Sequence, residues 1–295
     1  MRILITGANG FCGRHLIHLF QGENHEIIAH TGRSPMGLSE YQNVEVYSGD
    51  LSDGWNFPSN IDVVVHTAAA SPGPGVKTNT QQMIRANSSA TDYLAQRAAD
   101  VGVKTFIFLS TISVFGQIDT DVLDETSPII DPCSYGMSKR LGELALRERA
   151  FSSLSIRLPS VLGHGAKRHW ISTLLEDSHA GRDISYFNAD SQYNNAVHVD
   201  DLCSLISKVA QNGCQGHDIV TLAASAPLLV REMVDTIINA GGAKSKSYIV
   251  PSIKRPFLIS SERASKTYGY KPMGLRKMLN QYIDAYNLAE NILNE

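Results

Sequence analysis

The sequence predicts an α/β fold, in which a doubly wound parallel sheet is followed by a smaller C-terminal α/β lobe. Three observations predict this fold. Short apolar runs alternate with amphipathic helical patterns over about 160 residues, the runs lack the polar alternation of half-exposed strands, and a glycine-rich turn joins the first run to the first helix. We expect strands at 2–6, 26–30, 44–49, 62–68, 105–110 and 154–158, and the clearest helices at 11–21, 79–101 and 134–151.

The second part of the chain has a different texture. After Gly163 the alternation ends, and residues 164–192 read as polar and irregular. We therefore expect a sheet domain at 1–163 and a smaller lobe at 164–295, with 196–222 returning to the sheet domain. Further helical patterns lie at 199–211, 230–241 and 274–293, and strand-like pieces at 184–187, 196–199, 217–222 and 247–250.

Composition excludes several classes of function. The net charge of −3 argues against nucleic acid or an anionic membrane surface as the main partner. No apolar run reaches the roughly 18 residues of a membrane span, and the N-terminus reads as a strand rather than a signal peptide, so we expect a cytoplasmic protein. The 4 cysteines form no CxxC pair and the 10 histidines show no ligand spacing, so we predict no metal site.

The stretch "TGANGFCGRHL" places three glycines between the first strand and the first helix. Gly7 would allow the tight turn, Gly10 the close approach of backbone to a pyrophosphate, and Gly13 close packing of helix on sheet. The N–H groups at the helix N-terminus would then face the phosphates. The turn predicts a dinucleotide site, and a purely structural turn is the alternative.

The ends of the next two strands bear on which dinucleotide binds. An acidic residue after the second strand would favour NAD, but the sequence has Thr31 there, followed by Arg33 and Ser34. A neutral residue backed by an arginine suits a 2′-phosphate, so we favour NADP over NAD, although a solvated surface arginine explains Arg33 as well. Asp50 ends the third strand, where it could accept from the adenine amino group or cap a short helix.

Two polar clusters predict chemistry beside this site. Tyr135 and Lys139 in "SYGMSK" are four residues apart and share one face of a helix. We expect the lysine ammonium to lower the tyrosine pKa, so that the phenol can exchange a proton with a substrate oxygen. The strand ending at Ser110 and Thr111 would place a hydroxyl at the same edge of the sheet, although a plain Ser/Thr turn is also consistent with it.

Taken in order along nearly the whole chain, these motifs resemble one family. The sequence is similar to extended short-chain dehydrogenases/reductases of the NAD-dependent epimerase/dehydratase type, which act largely on sugar nucleotides. The resemblance is carried by "TGANGFCG", "GDLSD", "VVVHTAAA", "STISVFG", "YGMSK", "IRLPSVLG" and "AVHVDDL", and by Asn87 in the fourth-helix position.

The resemblance implies a Rossmann-type dinucleotide-binding domain at 1–163 and a substrate-binding lobe at 164–295. It implies Thr111, Tyr135 and Lys139 as catalytic residues. The implied cofactor contacts are Gly7, Asn9, Gly10, Phe11, Cys12, Gly13, Thr31, Arg33, Ser34, Asp50, Leu51, Thr67, Ala68, Ala69, Asn87, Ser110, Tyr135, Lys139, Pro159 and Val161.

Departures from the family pattern bear on the reaction. The acidic pair that dehydratases carry after the catalytic threonine is replaced by Ile112 and Ser113, which disfavours dehydration. A family arginine that contacts the diphosphate is replaced by Asn194, and Arg255 in "KRPF" is a partial match to another. As substrate contacts we expect Ser71, Ser113, Lys167, Arg168, Asn194 and Arg255.

Three functions follow from this resemblance. The first is reduction of a keto group on a nucleotide-linked sugar, with Tyr135 as the acid. The second is a C4-epimerase that keeps NAD bound, and the third a non-catalytic dinucleotide-binding sensor. We also expect a homodimer, formed through the helices at 79–101 and 134–151.

Overall fold

A computed structural model describes residues 1–32, 41, 43–51, 55–72, 79–252 and 254–294. Within them, the strands are Arg2–Thr6 (β1), Glu26–Thr31 (β2), Val44–Ser48 (β3), Val63–His66 (β4), Thr105–Thr111 (β5), Val122–Leu123 (β6), Ser152–Leu158 (β7), Ser160–Leu162 (β8), Ile184–Tyr186 (β9), Gln192–Tyr193 (β10), Ala196–His198 (β11), His217–Thr221 (β12), Leu228–Leu229 (β13), Ser247–Ile249 (β14) and Leu258–Ile259 (β15). Seven of them form one parallel sheet in the order β12-β7-β5-β4-β1-β2-β3, and the other strands form short pairs.

Helices cover both faces of the sheet. A π-helical segment, Arg85–Ser89, joins the second helix to the third, and a 3₁₀ turn, Ile112–Phe115, follows β5. The helices are Phe11–Gly22 (α1), Thr80–Ile84 (α2), Ala90–Asp100 (α3), Ser134–Arg147 (α4), Trp170–His179 (α5), Val199–Asn212 (α6), Val230–Ala240 (α7), Glu262–Tyr268 (α8) and Leu275–Asn294 (α9).

The two faces of the sheet carry separate cores, as the alternating side chains of β1 show. Ile3 and Ile5 belong to the core with α1 and α6. Leu4 belongs to the core with α3 and the C-terminal end of α4. Because apolar side chains project from both faces, the strands read as continuous apolar runs, and the predicted doubly wound α/β fold is confirmed. β3 at the sheet edge is the exception, since Glu45 and Val46 are exposed.

The C-terminal residues build a third core, from α5, α7, α9 and the strands near them. The chain returns to the main sheet at β12, which pairs with β7. The division of the chain at residue 163 stays a prediction. Of the helices in the described ranges, none is both long and apolar enough to cross a membrane.

Two local features differ from the prediction. The segment expected to be irregular at 164–192 contains α5, whose N-terminus is capped by His169 in a reciprocal arrangement with Ser172. The Nδ1 atom of His169 accepts from the Ser172 backbone N–H at 3.1 Å. The helix expected at 79–101 is interrupted by its π-helical segment, which widens the helix where Asn87 turns inward.

Candidate active site

The glycine turn closes tightly against the neighbouring strand. Gly7 has a φ of +68°, and a Cβ there would lie 2.7 Å from the Ala68 backbone nitrogen. A Cβ on Gly13 would lie 2.4 Å from the Gly7 carbonyl oxygen, so α1 can start this close to the turn only with glycine. Gly10 begins α1 without a side-chain cap, and the helix N-terminus presents backbone donors beside the turn.

The neighbours of the turn are held in place within the protein. Arg14 donates to the Asn9 side chain at 2.6 Å. Thr67 donates to the Thr6 carbonyl at 2.7 Å. Phe11 and Cys12 pack at the start of α1 against the apolar core, and burial raises the pKa of the Cys12 thiol to about 12.

A cavity of about 260 Å³ opens between the turn and the ends of β2, β3 and β4. Its lining consists mostly of glycine and alanine, so a flat ring system could approach the backbone closely. Asp50 supplies a carboxylate at its rim, and Leu51 an apolar wall. The lining residues are Gly7, His30, Gly32, Gly49, Asp50, Leu51, Ala68, Ala69, Ala70, Ala86 and Ala90.

The end of β2 carries no acid in the part of the chain that the structure describes. Thr31 is fully buried, and its hydroxyl faces the carbonyl oxygens of Gly32, at 3.1 Å, and Tyr47, at 3.3 Å. The Thr31 hydroxyl thus donates to backbone carbonyls, and the contact of Thr31 with a cofactor stays a prediction. Arg33 and Ser34 lie outside the described residues.

Asn87 joins the cavity wall to the helix that carries Tyr135. Its side chain accepts from the Ala70 N–H at 2.7 Å and donates to the Ala70 carbonyl at 2.8 Å. It also donates to the Ser138 hydroxyl at 3.0 Å, which in turn donates to the Tyr135 carbonyl at 2.8 Å. The π-helical segment positions this amide, and such segments are frequent at functional sites.

Thr111 and Tyr135 meet at the C-terminal end of the sheet. Thr111 ends β5 and its Oγ1 accepts from the Ser113 N–H at 3.2 Å. A Cβ on Gly136 would lie 2.0 Å from the Ser113 carbonyl, so only glycine lets α4 pack this closely on the turn. Pro159 and Val161, half-buried, follow β7 at the same edge of the sheet.

The ionisation of Tyr135 differs from the prediction. Burial raises the pKa of Tyr135 to about 12, and a hydrogen bond with Thr111 opposes that rise without cancelling it. The expectation that Lys139 lowers this pKa is therefore wrong for this arrangement.

Lys139 is the least satisfied group of the site. Its side chain is 1% exposed, its Nζ atom has no hydrogen-bond partner among the described residues, and it lies 4.0 Å from the centre of the Phe108 ring. Burial lowers the pKa of Lys139 to about 7, although the Glu143 carboxylate raises it. A buried ammonium without acceptors fits a ligand that brings hydroxyl groups to it.

The sequence model of the NAD dependent epimerase/dehydratase family matches residues 3–223. The chain belongs to this family. It is 24% identical over 300 residues to the spore coat polysaccharide biosynthesis protein SpsK of Bacillus subtilis (strain 168), covering 98% of this chain and 99% of SpsK. It is also 24% identical to a UDP-glucose 4-epimerase of Vibrio cholerae, over 98% of this chain and 96% of that one.

Solved structures share the fold of this chain. The enzyme WbmG of Bordetella bronchiseptica, in complex with NAD and UDP, superimposes with a TM-score of 0.83 at 21% identity, over 98% of this chain and 96% of WbmG. At the motifs shared with the family, this chain has the glycine turn that begins at Gly7, the cavity beside that turn and the Lys139 nitrogen without a hydrogen-bond partner among the described residues. These three observations fit a bound dinucleotide. Among the described residues, no cluster of three or more His, Cys, Asp or Glu side chains could hold a metal ion.

Sequence reasoning missed a buried ion network behind the family's Tyr-x-x-x-Lys pair. Glu143 is fully buried and accepts two hydrogen bonds from Arg157, at 3.0 and 2.8 Å. It also accepts a hydrogen bond at 2.6 Å from the hydroxyl of Ser110, which the sequence predicted as a cofactor contact. A charged residue in the middle of the apolar run "LSIRL" was the available signal, because a buried arginine needs a partner.

The predicted substrate residues differ in their burial and in their partners. Asn194 is buried, and its amide accepts from the Ile259 N–H at 2.9 Å and donates to the Ile259 carbonyl at 2.8 Å. These bonds hold the Asn194 amide on β15, and its contact with a substrate stays a prediction. Arg255 is exposed and pairs with Asp119 and Asp121.

The other predicted substrate residues are placed where they could contact a substrate. Ser113 lies beside Thr111, whose hydroxyl donates to it at 3.2 Å. Ser71, Lys167 and Arg168 are exposed.

Proposed function

We propose that this chain is an oxidoreductase that reduces a keto group on a nucleotide-linked sugar, with NADP as the dinucleotide. The observation that carries the proposal is the hydrogen-bonded pair of Thr111 and Tyr135 at the end of β5, with the buried, unsatisfied nitrogen of Lys139 one helical turn further along α4. When bound, the dinucleotide supplies the hydride. The backbone of the glycine turn at 7–13 would hold its pyrophosphate, Asp50 its adenine and Lys139 the hydroxyls of its second ribose.

The side chains of the site suit the reductive direction. The Tyr135 phenol can donate its proton to the substrate oxygen as negative charge develops there. Thr111 lies within hydrogen-bonding reach of the phenol and can hold the same oxygen in line. Ile112 and Ser113 provide no carboxylate at the positions where family dehydratases carry acids, which disfavours elimination of water.

The preference for NADP rests on the end of β2. Thr31 offers no carboxylate to bond a free ribose 2′-OH, and Arg33 follows two residues later. NAD, which WbmG holds in its complex, is the alternative cofactor. The nucleotide part of the substrate is supported by the UDP that WbmG also holds.

A C4-epimerase is the second candidate, because the relative from Vibrio cholerae is a UDP-glucose 4-epimerase. In that reaction the sugar would be oxidised, would turn in the site and would be reduced on its other face. The same residues would serve, with Tyr135 taking up and returning one proton. Net consumption of reduced dinucleotide separates the two candidates.

One experiment decides between them. The purified protein is denatured and any released dinucleotide is identified, and the native protein is then mixed with NADPH, or with NADH, and a nucleotide-linked 4-keto-6-deoxyhexose. A reductase consumes one reduced dinucleotide for each sugar converted. Tightly held NAD, with sugar interconversion and no net consumption, would establish the epimerase instead.

We further propose that the chain forms a homodimer through α2, α3 and α4. Met137, Leu141 and Leu144 lie at successive turns along α4, and each is 37–42% exposed. Ile84, at the end of α2, is 40% exposed, and α2 packs against α4. Light scattering of the purified protein would measure the assembly directly.

A further inference from the structure

Glu143 is the most heavily hydrogen-bonded side chain behind the proposed active site. Its carboxylate accepts from Arg157 at 3.0 and 2.8 Å, from Ser110 at 2.6 Å and from Arg140 at 2.8 Å. The side chains of Glu143 and Arg157 are 0% and 2% exposed. These bonds connect α4, which carries Tyr135, to β5 and β7 at adjacent registered positions, since Ser110 pairs with Arg157 across the two strands.

Lys139 lies one helical turn before Glu143, and the two side chains share a face of α4. Its nitrogen faces the Phe108 ring and has no polar partner among the described residues. The surroundings offer it little other negative charge. Among the described residues, the charged and titratable groups that interact with Lys139 or Glu143 are Arg140 on α4, His66 on β4, Arg157 on β7 and His217 on β12.

We propose that Glu143 is a positioning residue that keeps the Lys139 ammonium charged in its dry pocket and fixes the helix of Tyr135 to the strand of Thr111. The inference rests on the proposed dinucleotide function, because it concerns the charge that Lys139 presents to that ligand. Among the described groups around this pair, Glu143 is the one anion, since His66 and His217 are neutral or cationic and Arg157 and Arg140 are cations.

The balance of charges explains why the network is arranged this way. Burial alone would neutralise Lys139, and the Glu143 carboxylate opposes that neutralisation. Arg157 and Arg140 prevent Glu143 from taking up a proton itself, because they hold its pKa below the usual range despite its burial. Each arginine also weakens the electrostatic effect of Glu143 on Lys139. Removing an arginine and removing the Glu143 carboxylate must therefore shift the pH at which Lys139 loses its charge in opposite directions.

Two variants use this opposition. Glu143→Gln removes the charge but keeps the side-chain volume, and should move the loss of Lys139 charge to lower pH by about one pH unit. Arg140→Gln, at a side chain that is 24% exposed, should move it to higher pH. The measured quantity is the dissociation constant of NADPH, and in parallel of NADH, titrated by ligand fluorescence between pH 5.5 and pH 8.

In the wild type, we expect the dissociation constant to begin rising near the Lys139 pKa of about 7. If binding follows the charged lysine, Glu143→Gln binds about tenfold more weakly than wild type at pH 8 and within about 1.5-fold at pH 5.5. Arg140→Gln binds more tightly than wild type at pH 8. In a Lys139→Met background, Glu143→Gln has no further effect on either dissociation constant.

Several results would overturn the inference. One is an equal loss of affinity at pH 5.5 and pH 8, which indicates a structural defect. Another is a loss that persists in the Lys139→Met background. If Glu143→Gln does not fold, the test rests on Arg140→Gln. A pH dependence of the dissociation constant that is the same in Arg140→Gln as in the wild type then contradicts the inference. Failure of the wild type to bind either dinucleotide would instead overturn the proposed function.

Discussion

His30 gives the folded protein a measurable dependence on pH. It lies on β2, is 1% exposed, and its ring centre is 4.5 Å from that of Trp55. Its Nε2 atom has no hydrogen-bond partner within the described ranges. Burial lowers the pKa of His30 from 6.5 to about 4, although its own backbone and Asp50 oppose the change.

The sign and size of the effect follow from linkage. Between pH 6.5 and pH 4 the unfolded chain carries a proton on this imidazole and the folded protein does not. The unfolded state therefore binds more protons, and stability falls as the pH falls through this range. One unit of pKa corresponds to about 1.4 kcal/mol, so the full contribution is roughly 3 kcal/mol, of which roughly 2 kcal/mol is lost between pH 7.5 and pH 5.

The assay is urea unfolding followed by circular dichroism at pH 7.5, 6 and 5. The wild type also carries the lowered pKa values of His66, His169 and His217, so it should lose more than the contribution of His30 alone. The variant His30→Leu places a neutral side chain of suitable size in the apolar core and should lose roughly 2 kcal/mol less over this range.

A matched control separates burial from the mere loss of an imidazole. His18 is exposed on α1, and His18→Gln should leave the pH dependence as it is in the wild type. The reasoning is refuted if His30→Leu loses as much stability between pH 7.5 and pH 5 as the wild type does.

Three further variants test the packing, the cofactor and the assembly. Gly136→Ala should destabilise the fold by about 1–3 kcal/mol in an unfolding experiment and lower kcat/KM in a turnover assay, because its Cβ would meet the Ser113 carbonyl. The control Gly22→Ala has open space around it and should change neither the stability nor kcat/KM. Arg33→Ser should weaken NADPH binding in a fluorescence titration about tenfold or more while leaving NADH binding within twofold, and equal losses would exclude a 2′-phosphate contact. Leu144→Glu should yield monomers in light scattering, and an unchanged dimer would place the interface elsewhere.

Much of the fold could be predicted from periodicity, because strands buried on both faces and a glycine turn leave strong local patterns. Helix α5 was missed because its N-cap is His169, a residue type that seldom signals a helix start. The π-helical segment leaves no local signal either. Its geometry depends on the bonds of Asn87 to Ala70 and Ser138, which are distant in sequence.

The electrostatics of the candidate site could not be predicted from the sequence. Spacing predicted that Tyr135 and Lys139 share a helix, and both lie on α4, but burial determines their pKa values, and burial depends on the whole packed environment. Asn194 stands where family members carry an arginine, and its amide bonds β15, a contact between residues 65 positions apart. Such tertiary bonds cannot be read from motif spacing.

The most direct test of the central claim is the variant Tyr135→Phe, which removes the proposed proton donor and keeps the ring. The measurement is the rate of keto-sugar reduction, together with the dissociation constant of the reduced dinucleotide. We expect the rate to fall about 10²–10⁴-fold while the dissociation constant stays within about twofold. Reduction at the wild-type rate with Phe at position 135 would contradict the proposed mechanism.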